Sequence, residues 1–192
     1  MTESPTSCLR LLTGLTLGML CACKTPPPGP QADAKPAVPV LYEWKGAELA
    51  GAVAVRIDLS EQKAQITRGG APAGWTYVAS GIEGHRTPTG SFSITEKVAD
   101  KYSSSWGRVA NSEGNTVDSD AKSGRDPVPS GGRFVGAAMP FWMRIKGPFG
   151  MHAGYIPYPG SPASHGCIRL PREMAEILFG VAVIGTPVQV VP

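Results

Sequence analysis

The run Gly51-Ala-Val-Ala-Val-Arg-Ile-Asp-Leu-Ser60, continued by Glu61-Gln-Lys63 and Ala64-Gln-Ile-Thr-Arg68-Gly-Gly70, decides the fold class of this chain. Val53, Val55 and Ile57 recur at every second position, the period that buries one face of a β-strand. Ser60-Glu-Gln-Lys63 has turn chemistry, Ala64 to Arg68 returns, and Gly69-Gly70 closes the second strand, so the segment predicts a hairpin. Outward from it, Trp75-Thr-Tyr-Val-Ala-Ser-Gly81 and Ser91-Phe-Ser-Ile-Thr95 read as further strands around the turn-rich Gly84-His-Arg-Thr-Pro-Thr-Gly90. Phe141-Trp-Met-Arg-Ile-Lys146, Met151-His-Ala153 and Thr186-Pro-Val-Gln-Val-Val191 add three more. One helix is expected: Pro171-Arg-Glu-Met-Ala-Glu-Ile-Leu-Phe-Gly180 places apolar residues at 174, 177 and 178, between a starting Pro171 and a stopping Gly180. Residues 98–133 show weak periodicity and many Gly, Ser, Asn and Asp, and read as a long surface excursion. The class is therefore mainly β, with one short helix and no internal repeat.

Composition agrees with one folded core. The chain has 192 residues, 42% of them hydrophobic, enough to fill a single domain. Gly 24 and Pro 19 make up about a fifth of it, below the roughly 25–30% that signals disorder, and they imply many turns. Lys+Arg 18 against Asp+Glu 15 gives +3, too small and too scattered to be the footprint of a nucleic-acid binder.

The first residues read as an address. Leu11 to Leu20 is an apolar run of secretory type, too short to span a bilayer permanently. It ends in Leu20-Cys21-Ala22-Cys23, which resembles the lipobox of bacterial lipoproteins. That resemblance implies cleavage after residue 22 and acylation of Cys23; the plainer alternative is an ordinary signal peptide with incidental cysteines. Cleavage there removes Cys8 and Cys21, leaving Cys23 and Cys167. A lipidated Cys23 leaves Cys167 without an intrachain partner, which in an exported protein marks it as a reactive thiol. Residues 24–40 hold six prolines and almost no large apolar side chains, as an extended tether does. The expected organisation is a signal peptide over 1–22, a lipid-anchored Pro-rich tether over 23–48 and a folded domain over 49–192. By analogy with bacterial sorting, Lys24 after the anchor favours the outer membrane, facing the periplasm.

The chemistry concentrates between His152 and Arg169. Gly150-Met-His-Ala-Gly154 is followed by Pro162-Ala-Ser-His-Gly-Cys-Ile-Arg-Leu170, so the lone thiol lies fifteen residues after His152 and two after His165. Cysteine attacks as the thiolate and needs a base in hydrogen-bond reach, which an imidazole supplies. It also needs donors where an oxyanion forms, and Gly166 lets backbone N–H groups approach without a Cβ in the way. Arg169 presents a planar fork suited to a carboxylate, with a structural ion pair as the alternative. Arg144, Tyr155 and Trp142 are weaker candidates for the same cleft. His85 stands beside Thr87-Pro-Thr-Gly90.

Ser164-His165-Gly166-Cys167-Ile168-Arg169, with His152 upstream, resembles the signature of the L,D-transpeptidase (YkuD) catalytic domain. Thr87-Pro-Thr-Gly90 with Phe92 and Ile94 is similar to the family's Thr-Pro-x-Gly-x-Phe segment, and the likeness covers about residues 50–192. The resemblance implies a β-sandwich-like fold with a helix after the cysteine motif. It implies Cys167 as nucleophile, His152 as base, and His165 and Ser164 shaping the site. Backbone N–H groups of Gly166 and Cys167 would form the oxyanion hole, and the carbonyl of Ala153, where relatives carry Gly or a hydroxyl residue, would orient His152. Apart from the resemblance, the chemistry of the residues themselves makes Arg169 a candidate for substrate binding, with Arg144 and Tyr155 as weaker ones. The implied activity is transfer of a peptidoglycan stem from a thioester at Cys167 to an amine on another stem or an acceptor protein, with loss of D-alanine. Carboxypeptidase or cross-link cleavage at the same site is the alternative. No metal or organic cofactor is required. Two readings of another class remain: a metal-binding module built on Cys167 with His85, His152 and His165, and a non-catalytic envelope-binding lipoprotein with a buried, inert thiol.

Overall fold

A computed structural model describes residues 39–192; the expected signal peptide, Cys23 and the tether as far as residue 38 lie outside the described residues. Two sheets and one helix enclose the core. The hairpin expected at 51–70 is strands β2 (Val53–Asp58) and β3 (Lys63–Arg68), paired antiparallel with Val55 opposite Ile66 and Ile57 opposite Ala64. Asp58 Oδ1 ties its turn by accepting from the N–H groups of Ser60 and Glu61 and from the Ser60 hydroxyl. Gly69 and Gly70, at φ 59 and 82, supply the two left-handed positions that a tight hairpin of this twist requires. They turn the chain at once into β4 (Ala71–Tyr77), which therefore begins before the expected Trp75. The first strand, β1 (Tyr42–Trp44), pairs with β4 at the sheet edge, so the folded unit starts within the segment expected to be tether. With β5 (Gly90–Ser93) and β11 (Pro187–Val191) the six-stranded sheet runs β1-β4-β3-β2-β11-β5.

The second sheet corrects the largest expectation. Residues 98–133 are not an irregular excursion. They hold most of β6 (Glu96–Ala110), all of β7 (Thr116–Lys122) and the start of β8 (Arg133–Lys146). β6 pairs with β8 from Glu96 opposite Arg144 to Ala110 opposite Arg133, with a break in register between Tyr102 and Gly107. With β9 (Phe149–Ala153) and β10 (Ile168–Leu170) the order is β10-β9-β8-β6-β7. The distal ends of β6, β7 and β8 form a flap whose side chains are largely solvated.

Between the sheets lie Val53, Val55, Ile57, Ile66, Val188 and Val190 from one side and Met143, Ile145, Met151, Ile168 and Leu170 from the other. Helix α1 (Arg172–Val181) packs on β8 and β9 through the buried Met174 and Leu178, one turn apart as expected, and through Ala175, which takes the place in the buried stripe expected of the half-buried Ile177. It carries no basic residue in its last turn; Lys97 of β6 donates instead to the carbonyls of Phe179 and Ala182, at 2.5 and 2.6 Å.

Candidate active site

β9 and β10 run parallel, with Met151 opposite Ile168 and His152 opposite Arg169. Because side chains alternate across a strand, Met151, Ala153, Ile168 and Leu170 enter the core while His152 and Arg169 share the other face. Cys167 stands two residues before Arg169 and joins them in one cleft of about 340 Å³. The alternation thus converts a gap of fifteen residues in sequence into one site.

The loop that presents the thiol is held from three sides. Ala79 exchanges two backbone hydrogen bonds of 3.0 Å with Arg169, and the N–H groups of Ala163 and Ser164 both donate to Ser80 O at 3.0 Å. Ser80 is gripped by the buried Gln62, whose Nε2 donates to its hydroxyl at 2.7 Å and whose Oε1 accepts from its N–H at 2.8 Å. Thr87 Oγ1 accepts from Gly81 N–H at 2.9 Å and donates to Gly166 O at 2.8 Å, so the Thr-Pro-Thr-Gly segment fixes the peptide next to Cys167. Gly166 has φ 112, and a Cβ there would stand 2.6 Å from the Phe149 ring. Only glycine fits that turn.

His152 is buried and its Nδ1 lies 2.9 Å from Ala153 O. A carbonyl only accepts, so Nδ1 carries the proton and Nε2 is left with a lone pair, the arrangement of a base. Burial pulls the imidazole pKa down from 6.5 to about 4, against the opposing pull of the Ala153 carbonyl, with Arg169 adding to the depression. Burial also pushes the Cys167 thiol up, against the stabilising Gly150 N–H and Arg169. At neutral pH thiol and imidazole are therefore both uncharged. Cys167 is a free cysteine lying 3.8 Å from Pro148 O.

Other expected site residues fall out differently. Ser164 Oγ accepts from Gly166 N–H at 3.1 Å and donates to Cys167 O, so the Gly166 N–H expected in an oxyanion hole is already used. The Cys167 N–H, with no partner among the described residues, is the donor left. Arg169, half-buried and with burial lowering its pKa, forms no ion pair among the described residues and reaches Tyr155 O at 3.5 Å. Tyr155 itself is 79% exposed at the cleft mouth. Arg144, by contrast, spends its fork on Glu96, at 2.8 and 3.1 Å, and on Gly147 O at 2.5 Å. Trp142 is buried and donates to the same Glu96 carboxylate at 2.8 Å. This pairing holds Glu96 well below the usual carboxylate range, the Trp142 bond contributing most.

His165 faces the flap. Its ring stacks on Trp106 of β6 at 3.7 Å and 2°, His85 meets both edge-on at 5.1 Å, and Nε2 lies 3.4 Å from Asp120 of β7. Burial lowers the His165 pKa, with Asp120 opposing. No group of three or more His, Cys, Asp or Glu side chains among the described residues stands close enough to hold a metal. Trp106, Asp120 and Gln62 are site residues that sequence reading missed, since nothing local in the chain ties them to Cys167; only Thr87 lay in a motif.

Comparison with known proteins places the chain. The family model of the L,D-transpeptidase catalytic domain (YkuD) matches residues 52–190. No protein of curated function matches the chain in sequence. Among solved structures it is similar to an L,D-transpeptidase from Mycobacterium smegmatis, with 17% identity over 73% of this chain and 58% of that one and a TM-score of 0.56. It is also similar to L,D-transpeptidase 3 from Mycobacterium tuberculosis, with 24% identity over 73% and 61% and a TM-score of 0.55. The Enterococcus faecium L,D-transpeptidase matches with 25% identity over 74% and 50% and a TM-score of 0.53. The chain thus spans between half and about three fifths of these structures, whose likeness extends to the fold.

Proposed function

The chain belongs to the L,D-transpeptidase catalytic domain family, and on that premise we propose that it is a cysteine L,D-transpeptidase acting on peptidoglycan stem peptides. The observation that carries the reading is the convergence on one cleft, through the β9/β10 register, of Cys167, His152 and an Arg169 without an ion-pair partner among the described residues.

Cys167 attacks the carbonyl of the third stem residue while His152 Nε2 takes the thiol proton, which suits a pair that starts uncharged. The Cys167 N–H donates to the developing oxyanion. Collapse breaks the amide bond; His152 returns the proton to the leaving nitrogen and D-alanine departs, leaving a thioester. An amine then attacks the thioester, His152 removes its proton and gives it to the departing sulfur, and the thiol is restored with a new amide. Water in place of the amine gives carboxypeptidation, and an existing cross-link as donor gives cleavage, all with the same residues. Arg169, across the ladder from His152, receives the carboxylate of the departing D-alanine. Cys23 carries a lipid that holds the domain in the bacterial envelope, on the periplasmic side of the outer membrane; fatty-acid labelling abolished by Cys23→Ser, and recovery in outer-membrane fractions, test it.

The test is mass spectrometry of the full chain, wild type and Cys167→Ala, with purified tetrapeptide stems. A thioester adduct and released D-alanine in the wild type alone are expected, with dimers where amine resolves the intermediate. No adduct and no product from the wild type would overturn the proposal and favour an envelope-binding role.

A further inference from the structure

Two clefts, not one, meet at Cys167. The first, described above, contains His152, Arg169 and Tyr155. The second, of about 410 Å³, runs beneath the flap and contains Lys101, Lys122, Trp142, Arg144 and Phe149. Cys167, His165, Trp106, Met139 and Ser103 belong to both, and His152 belongs only to the first. That asymmetry gives the two clefts different work, and the argument rests on the transpeptidase reading. The group that protonates the departing amine also deprotonates the incoming one, so leaving group and acceptor occupy the same side of the thioester in turn, the side of His152. The acyl half of the donor must then extend to the other side, beneath the flap.

The charged side chains that line the second cleft are all basic. Arg144 is neutralised by Glu96, but Lys101 on β6 and Lys122 on β7 form no ion pair among the described residues. No Asp or Glu lines the cleft; Asp120 faces His165, and Asp126 is taken by Arg125. The Lys122 ammonium lies 5.7 Å from the Trp106 ring centre, on the tryptophan that walls both clefts. The Lys101 charge acts on Glu96 and the Lys122 charge on Asp126, but Glu96 is bonded to Arg144 and Trp142 and Asp126 to Arg125, so neither ammonium has a contact ion pair among the described residues, and both can meet a ligand that carries carboxylates. We propose that Lys101 and Lys122 form a donor-side anion subsite that reads free carboxylates on the acyl half of the stem, so that the protein acylates itself from free-acid stems in preference to amidated ones.

The experiment compares thioester formation by the full chain, wild type and Lys101→Gln/Lys122→Gln, from two synthetic tetrapeptide stems. One has its side carboxylates free, the other has them amidated. Wild type should prefer the free-acid donor by about tenfold in kcat/KM, the scale of a charge-assisted contact partly exposed to water. The double variant should lose that preference, chiefly through KM of the free-acid donor, while KM for the acceptor stays within about twofold; added salt should erode the wild-type preference in the same direction. Equal use of both donors by the wild type, an equal loss on both donors in the variant, or a loss that falls on the acceptor KM overturns the subsite and leaves the transpeptidase reading standing. No thioester from either donor in the wild type overturns both.

Discussion

His152 makes the structure testable through pH without reference to any substrate. In the unfolded chain its imidazole titrates near the ordinary value of about 6.5; in the fold, burial holds it at about 4. Between those values the unfolded state binds a proton that the native state refuses, so stability falls as pH falls. Its contribution is complete above pH 6.5 and is lost as pH drops toward 4. At about 1.36 kcal/mol per pH unit, the loss between pH 7 and pH 4.5 comes to about 2.5 kcal/mol. Urea unfolding of wild type and His152→Asn at the two pH values isolates it, because Asn keeps an amide donor near Nδ1 and does not titrate, while every other group is common to both proteins. Wild type should lose about 2.5 kcal/mol more than the variant. Parallel losses in the two proteins would refute the claim that burial keeps this imidazole neutral. The same value sets the acid limb of kcat/KM, which should fall below the ordinary histidine range.

Gly166→Ala forces a Cβ into a left-handed turn and to 2.6 Å from the Phe149 ring. Strain of about 1–3 kcal/mol is expected in urea unfolding, together with a fall in thioester formation of about a hundredfold or more, because the loop carrying Cys167 must shift. A normal rate in a folded variant would mean that the turn is not needed for the chemistry. Trp106→Ala removes the surface on which His165 stacks at 3.7 Å. Opening the flap side of the cleft to water should raise the ratio of hydrolysis to transfer by about fivefold to tenfold, read by chromatography of the products; an unchanged ratio would show that this stack does not exclude water.

What the sequence revealed, and what it hid, follows from where each element takes its order. The hairpin at 53–68 was legible because Val53, Val55, Ile57, Ala64 and Ile66 each face the core and their neighbours do not. The helix was legible for the same reason at its own period. β6 and β7 were not, because much of the flap is solvated on both faces: Ser103-Ser-Ser105 and Asp118-Ser-Asp120 carry no apolar alternation, and the strands are defined by backbone pairing with β8 rather than by burial. β1 is three residues long and follows a proline-rich segment, too short to show a period. At the site, the thiol, the histidines and the glycine turn were legible because they are nearly contiguous. The engagement of Arg144 by Glu96, 48 residues away, and of His165 by Trp106 belongs to pairing between distant strands and leaves no local trace.

On the proposed transpeptidase reading, the same distinction explains how the Cys167 thiol can serve as nucleophile and still survive. From sequence alone, Cys167 reads as a reactive cysteine. In the fold, burial raises its pKa and depresses that of His152, so no thiolate–imidazolium pair forms in the free site and the population open to adventitious oxidants is small. Nucleophilicity then has to be generated during attack, by transfer of the proton to an imidazole whose Nδ1–H is already committed to Ala153 O. That transfer is productive only when an electrophilic carbon waits at the sulfur and a donor meets its oxygen, and with the Gly166 N–H held by Ser164 that donor is the Cys167 N–H. The β9/β10 ladder fixes the base, the Gln62, Ser80 and Thr87 contacts fix the loop, and the reaction is thereby tied to a bound carbonyl rather than to whatever reaches the thiol.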